Sequence, residues 1–522
     1  MKIPKLIVVG IDGGGFELIR PWLDNGDLPN IKFMVNNGIS GDLSCCLPPC
    51  TSPNWRCYST GKNPGKLGIF WWRNIDVKNR RTIFNPGSGQ NVVNFWNILN
   101  TAGYRTGIIN TPLTYPPQKV DGYVISGGPD AANNGFCNPT SLEEELSLKF
   151  GYKVHSSGSH DPANRNALAE EILELIESRF KVAEYLMEKD ETDFVQVTSF
   201  YINVLQHFLW DAEHVKKGWQ IIDKWIGRFL EKGTNVWVMS DHGSMPVKIE
   251  LLINTWLEVK GFLKIKKSYT DMLFSLGINR DRLNHVAEAL KIRHFLKKRM
   301  PISWRDSVPD QQGNLKGEAG FKNIKWDQSD IFGLGQGPIY VLSDKTNETY
   351  HELVKNFTDE LKALTLPNSN KKIARDVVAA DTIYHGPFMK NSPDLVIDYN
   401  HGVRIAGIIG QKNVFSKPLI WKGENKKEGI FLGYGPDMTK SLEVSNLSIL
   451  DLAPSILHLF GVAVSEDMDG KVRKDFFAKD SKPHSDDVKI VSESDLTSDQ
   501  NTLDGDDEKI IEKRLKDLGY LG

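Results

Sequence analysis

Cysteine is scarce in this chain of 522 residues, and the five present are poorly placed for structural use. Cys45, Cys46, Cys50 and Cys57 crowd one short segment, and Cys137 stands apart. They lack the paired Cys-x-x-Cys spacing and the histidine partners of a zinc module, and vicinal Cys45-Cys46 makes a poor disulfide. Reduced, buried thiols are expected. Charge of one sign is lacking too: 64 Lys and Arg stand against 66 Asp and Glu, a net charge of -2, so nucleic acid is not an expected partner. Long apolar runs are also missing. The first, Leu6-Ile7-Val8-Val9-Gly10, is too short for a signal peptide and has no small-residue cleavage site, and no other run approaches membrane-spanning length. A cytoplasmic protein without a membrane span is expected. The remaining composition, 40% hydrophobic and 25% charged, is that of an ordinary globular chain long enough for one large α/β unit with insertions.

Two apolar runs end abruptly in acids. Val236-Trp237-Val238-Met239-Ser240 spills into Asp241-His242-Gly243, and the run from Leu6 to Ile11 spills into Asp12-Gly13-Gly14-Gly15. Each reads as a buried strand whose carboxyl end carries a polar loop, the place where open α/β sheets bind ligands. The glycines after Asp12 fit neither the G-x-G-x-x-G dinucleotide fingerprint nor a P-loop, since no Gly-Lys-Ser/Thr follows. An acid there repels phosphate unless a cation intervenes, which favours metal binding; plain turn residues are the competing reading of both loops.

Further along, Pro48-Pro49-Cys50-Thr51-Ser52-Pro53-Asn54-Trp55 forces an extended approach to a helix, with Thr51 at the expected N-cap and Pro53 in the first turn. A threonine there is usually a cap; a reactive one needs a base or a metal beside it. Residues 94–129 alternate helix and strand, 167–189 carry apolar residues at helical spacing, and 193–200 read as a strand, the rhythm of a doubly wound sheet. Asn203 and His207 follow at i and i+4, one face of a helix. A packed, hydrogen-bonded histidine competes with a ligand reading there.

The organisation expected is a core α/β domain in two parts, 1–245 and 371–478. Between them lies an inserted cap or substrate subdomain, 246–370, and after them a disordered linker, 479–507, and an amphipathic C-terminal helix, 508–522. The main sheet is expected to resume at 393–398. The basic run Arg293-His294-Phe295-Leu296-Lys297-Lys298-Arg299 in the insert reads first as a solvated helix face.

Taken in order, these motifs resemble the alkaline phosphatase superfamily. The likeness is closest to its type I phosphodiesterase/nucleotide pyrophosphatase branch and to phosphohydrolases related to phosphoglycerate mutase. It rests on Gly10-Ile11-Asp12-Gly13, the Pro48 to Trp55 segment with Thr60-Gly61-Lys62-Asn63-Pro64-Gly65, Gln206-His207-Phe208-Leu209-Trp210, Ser240-Asp241-His242-Gly243, Ser392-Pro393-Asp394-Leu395 and Asp451-Leu452-Ala453-Pro454-Ser455-Ile456-Leu457. The resemblance implies an α/β fold, a doubly wound, mostly parallel sheet flanked by helices, with an inserted subdomain and a C-terminal tail. It implies divalent metal ions (Zn, Mn or Mg) and a small phosphorylated or nucleotide-like substrate. One metal would be held by Asp12, Thr51, Asp241 and His242, with Thr51 as the nucleophile that forms a covalent phospho-threonine.

The second metal set departs from the family. His207 is present, but Asn203 stands where the family has an Asp, and Asn425 where it has a His. Neutral amide oxygens suit a hard cation better than zinc, so one tight site and a weak or absent second one are expected. His385 and His401 are candidates to replace the lost ligands from loops. The function expected is metal-dependent hydrolysis of a phosphodiester or phosphomonoester; the alternative is a degenerate member that binds a phosphorylated ligand or partner without turnover.

Overall fold

The computed structural model describes residues 2–77, 79, 81–84, 92–156, 165–210, 212–266, 283, 323–409, 411–418, 420–492 and 505–520. Leu6–Ile11, the β-branched run near the N-terminus, is a fully buried strand. It lies near the middle of a ten-stranded sheet. From one edge the order is Leu442–Glu443, Ile39–Ser44, Glu428–Tyr434, Asn235–Ser240, Leu6–Ile11, Phe194–Ser199, Thr106–Ile109, Gly122–Ile125 and Cys137–Asn138, with Leu447–Ser448 also paired to Ile39–Ser44. The central strands run parallel, whereas Glu428–Tyr434 is antiparallel to both of its neighbours.

Helices cover both faces, which is why the central strands are apolar without alternation. Ile7, Val9 and Ile11 pack into one cluster with Ile176 and Phe180 of Arg165–Lys189 and Ile222 and Ile226 of Glu213–Leu230. Leu6 and Val8 face the opposite way, toward Trp55 and Tyr58 of Thr51–Thr60 and Ile456 of Leu452–Leu459. Each aliphatic side chain buried in this way contributes roughly 1.5–3 kcal/mol. The α/β fold with a large, mostly parallel sheet flanked by helices is the one expected from the sequence.

Register matters most for function. Ile11 lies opposite Ser199 on one side and Ser240 on the other. Three neighbouring strands therefore end at one level, and Asp12, the helix Tyr201–Leu209 and Asp241 all leave the sheet together.

The run 393–398 does not resume this sheet. Leu395–Tyr399 sits inside a separate antiparallel sheet, ordered Ile331–Gly333, Pro338–Val341, Leu395–Tyr399, Ala374–Ala379. An apolar run after a proline encodes a buried strand but not the sheet that receives it. Its neighbours here are Pro338–Val341 and Ala374–Ala379, and the main sheet takes Glu428–Tyr434 instead.

Within the stretch expected to be linker, Lys482–Ser485 is a short helix and Ile490–Val491 pairs with Val464–Ser465. Buried Pro483 accepts a hydrogen bond from His458 Nε2 at 2.7 Å, which ties this segment to the body. Residues 493–504 of that stretch, and the basic run 293–299, lie outside the described residues. Cys45, Cys50, Cys57 and Cys137 are free and buried, and Cys46 is free and half-buried. Among the described residues no helix is long and apolar enough to cross a membrane.

Candidate active site

The common end of the three strands brings Asp12, Asp241 and His242 together, all fully buried, with their ligand atoms within 4.8 Å of one another. Among the described residues no other group of acids, histidines and cysteines has the geometry to hold a metal ion. His242 Nε2 lies 3.3 Å from Asp241 Oδ2 and 3.6 Å from Asp12 Oδ1.

Thr51 joins this group from a different direction. Cys50, not Thr51, is the N-cap of Thr51–Thr60, so the threonine is the first helical residue and its hydroxyl serves no cap. The two prolines set the approach, and the helix begins one residue earlier than their spacing predicts. Thr51 Oγ1 is thereby turned to the strand ends, 3.3 Å from Asp12 Oδ1 and 3.3 Å from His242 Nε2.

The hydrogen bonds around these groups define which lone pairs remain. His242 Nδ1 lies 2.9 Å from the Gly243 carbonyl, which only accepts, so the proton is on Nδ1 and Nε2 presents a lone pair to the cluster. Asp241 Oδ1 accepts from the amides of Gly13 (3.1 Å) and His242 (3.0 Å), whereas its Oδ2 has no hydrogen-bond partner among the described residues. Gly13 is needed for this: it sits at φ 71, and a Cβ there would lie 2.4 Å from Asn203 Oδ1.

Two carboxylates and an imidazole lone pair thus converge in a fully buried site, with no Lys or Arg paired to them among the described residues. Burial raises Asp12 to about 7; burial, and then the charge of Asp12, push Asp241 well above the usual carboxylate range. Burial lowers His242 to about 4, leaving it neutral. A divalent cation is the group that these donors fit: it neutralises both acids and uses the imidazole as it stands.

The second set of expected ligands is arranged differently. Asn203 and His207 are both on the helix Tyr201–Leu209 and both buried. Asn203 Nδ2 donates to Asp12 Oδ1 at 2.7 Å, and its Oδ1 accepts from Gln206 Nε2 at 3.4 Å. The carboxylate requires the NH₂ end of that amide, which turns the oxygen, its only ligating atom, toward Gln206. His207 Nδ1 bonds to the Gly423 carbonyl at 2.9 Å, so its Nε2 carries a lone pair, and that atom has no hydrogen-bond partner among the described residues. Burial takes His207 down to about 3. Asn425, opposite Ser244 in a two-stranded ladder, is fully buried with neither end of its amide hydrogen-bonded among the described residues. Neither proposed replacement arrives: His385 bonds to Asp469 at 2.8 Å and His401 pairs with Glu17, both at the surface.

Two positioning groups escaped the sequence reading. Trp55 Nε1 donates to Asp12 Oδ2 at 3.0 Å, and Gln206 Nε2 donates to the Gly13 carbonyl at 2.8 Å. Trp55 lies one helical turn after Thr51, the one sequence signal that it shares a face with it. Gln206 belongs to a motif already singled out, but nothing in its spacing shows that it reaches the first strand loop.

Buried acids and a neutral imidazole at the carboxyl ends of parallel strands, with a hydroxyl turned toward them, define an α/β protein with a candidate divalent-metal centre. The family model for type I phosphodiesterase / nucleotide pyrophosphatase matches residues 6–427, and the chain belongs to that family. This is the branch of the alkaline phosphatase superfamily that the ordered motifs resemble. No curated protein matches the chain.

Proposed function

We propose that the chain hydrolyses a small phosphodiester or phosphomonoester, nucleotide-like in class, through a covalent phospho-threonine on Thr51. The observation that carries this reading is the buried Thr51 hydroxyl, 3.3 Å from both Asp12 Oδ1 and His242 Nε2. Asp12, Asp241 and His242 are the residues that would hold a divalent cation. When bound, that cation supplies positive charge that lowers the pKa of the neighbouring hydroxyl and offsets charge on the phosphoryl oxygens.

The chain's own residues do the rest. Asp12 Oδ1 orients the Thr51 hydroxyl, and Trp55 and Asn203 hold Asp12 in place. Thr51 Oγ1 bonds to phosphorus as the ester oxygen leaves, the threonine's proton passing by way of Asp12 Oδ1 to that leaving oxygen; water then adds its oxygen to phosphorus and a proton to Thr51 Oγ1, which releases the phosphate product and restores the hydroxyl. The start of the helix at Thr51 faces the anion with its dipole. An aryl phosphodiester offered with Mg²⁺, Mn²⁺ or Zn²⁺ should release its phenol; the absence of turnover across metals and esters would sink the proposal.

The amide of Asn203 favours a second reading, binding without turnover, because it serves Asp12 and not a second cation. Ligand binding by calorimetry with no product formed is its signature. Restoring the acid separates the two. Asn203→Asp should raise the metal content of purified protein from about one to about two equivalents and increase turnover. The same variant should lower the metal-free melting temperature, since a carboxylate replaces a donor 2.7 Å from Asp12 Oδ1. A metal content that stays at one shows that the amide is not what limits the second site.

A further inference from the structure

The C-terminal segment packs beside this site. Helix Gly505–Asp517 buries Ile511 and Leu515, Glu512 is ion-paired with Arg73, and Arg514 donates to the Ala131 carbonyl. Gly519 then turns the chain at φ 80, close enough to Trp421 that a Cβ there would lie 2.8 Å from its ring. That turn lays Tyr520 across the ligand face. Its ring packs edge-on against His207 (centroids 5.7 Å apart) and Trp421 (5.8 Å), with Trp72 at 5.6 Å.

Tyr520 is only 6% exposed, yet its hydroxyl has no hydrogen-bond partner among the described residues. A buried phenol normally finds one, because leaving it unmade is costly. Burial pushes the phenol well above its ordinary range, and the nearby acids Asp12, Asp241 and Glu424 add to that, so the hydroxyl stays protonated. The thiol of Cys50, next to Thr51, lies in the field of the same three acids. Its ring lies against His207, which shares the helix Tyr201–Leu209 with Asn203, and Asn203 bonds to the Asp12 carboxylate that also meets Thr51, although nearly the whole chain separates Tyr520 from the threonine.

We propose that Tyr520 is a substrate-binding residue delivered by the C-terminal helix, its hydroxyl donating a hydrogen bond to a non-bridging oxygen of a phosphoryl group seated at Thr51. The inference rests on the phosphoryl reading of the site given above. A neutral phenol is a donor suited to an anion, and in a water-excluded enclosure such a bond is stronger than at the surface. His207 and Trp421 hold the ring, so the donor is oriented before the ligand arrives.

The test uses the full chain with Mn²⁺ present and inorganic phosphate as the probe, titrated by calorimetry into wild type and Tyr520→Phe. The variant keeps the ring and loses only an oxygen that has no hydrogen-bond partner among the described residues. Its ligand-free melting temperature should equal or exceed that of wild type, while its phosphate affinity falls about tenfold or more. Equal affinity in the two proteins overturns the proposal, as does a wild type that takes up no phosphate. Hydrolysis of the aryl phosphodiester, measured in parallel, keeps the two readings apart. Tyr520-dependent phosphate binding without hydrolysis supports this assignment and overturns the hydrolase; hydrolysis with equal phosphate affinities does the reverse.

Discussion

Replacing Thr51 with alanine should lower the proposed turnover of an aryl phosphodiester by about a thousandfold or more, because among the described residues no other hydroxyl meets both Asp12 and His242. The change removes a fully buried hydroxyl and its neighbouring methyl and leaves the frame standing. Asp12 Oδ1 keeps its bond from Asn203 at 2.7 Å and Oδ2 keeps Trp55 at 3.0 Å, so stability should change by no more than about 1 kcal/mol. Metal binding should persist, since Asp12, Asp241 and His242 are untouched. Thr51→Ser, which retains the oxygen, keeps measurable turnover. Steady-state rates, melting temperatures and metal content of the three proteins check this together. A Thr51→Ala protein that turns over at the wild-type rate removes the covalent route.

The second large effect concerns Asp241. In metal-free protein Asp241→Asn should be more stable than wild type at neutral pH, and it should lose most of the stabilisation that a divalent cation confers. The geometry explains the first half. Asn Oδ1 keeps the two amide bonds at 3.1 and 3.0 Å, while its NH₂ replaces an unpartnered oxygen 3.3 Å from the His242 Nε2 lone pair and donates to it.

The sign of the pH dependence follows from the raised acid. Asp241 has a folded pKa well above its unfolded value of about 3.9, so above that pH the folded state holds a proton the unfolded state has lost. Wild-type stability therefore falls as pH rises from about 4 toward the folded pKa, and the variant escapes that loss. Burial of neutral His242 and His207 acts in the opposite direction below about 6.5, but in both proteins alike. The gap in melting temperature should be small near pH 4.5 and widen through neutrality. With Mn²⁺ at about a thousand times its dissociation constant, wild type gains about 4 kcal/mol and the variant little of it. Thermal melts in chelator and in Mn²⁺ across that pH range decide the matter; a variant less stable than wild type in chelator at pH 8 contradicts it.

What could be read from the sequence was local. Leu6–Ile11 and Asn235–Ser240 announce themselves as buried strands because helices cover both faces, and the acids that follow each run are visible as interruptions. Asn203 and His207 share a helix face as their spacing implied. Direction and partnership were not legible. Thr51 reads as an N-cap because cap and first helical residue differ by one position, and only the packed helix shows which one carries the hydroxyl to Asp12. Asn203 reads as a weakened ligand, but which end of an amide faces inward depends on the carboxylate it meets. The strand Leu395–Tyr399 has an apolar pattern that two sheets could have accepted. Tyr520 carries no local signal at all; its contacts depend on where the last helix docks.

The parallel pairing of Leu6–Ile11 with Asn235–Ser240 has a kinetic consequence. Gly13 and Asp241, bonded across the top of that pair, are 228 positions apart in the chain, and His242 is 191 from Thr51. Such a site has no local precursor in the unfolded polypeptide, because closing loops of that length precedes any contact between the ligands. A cation therefore cannot seed folding as it does in a small zinc module, where nearby ligands gather around the ion. A cation bound there would be recruited late, after the central strands have registered, and its binding energy would be expressed chiefly as slower unfolding, a brake on escape from the native state.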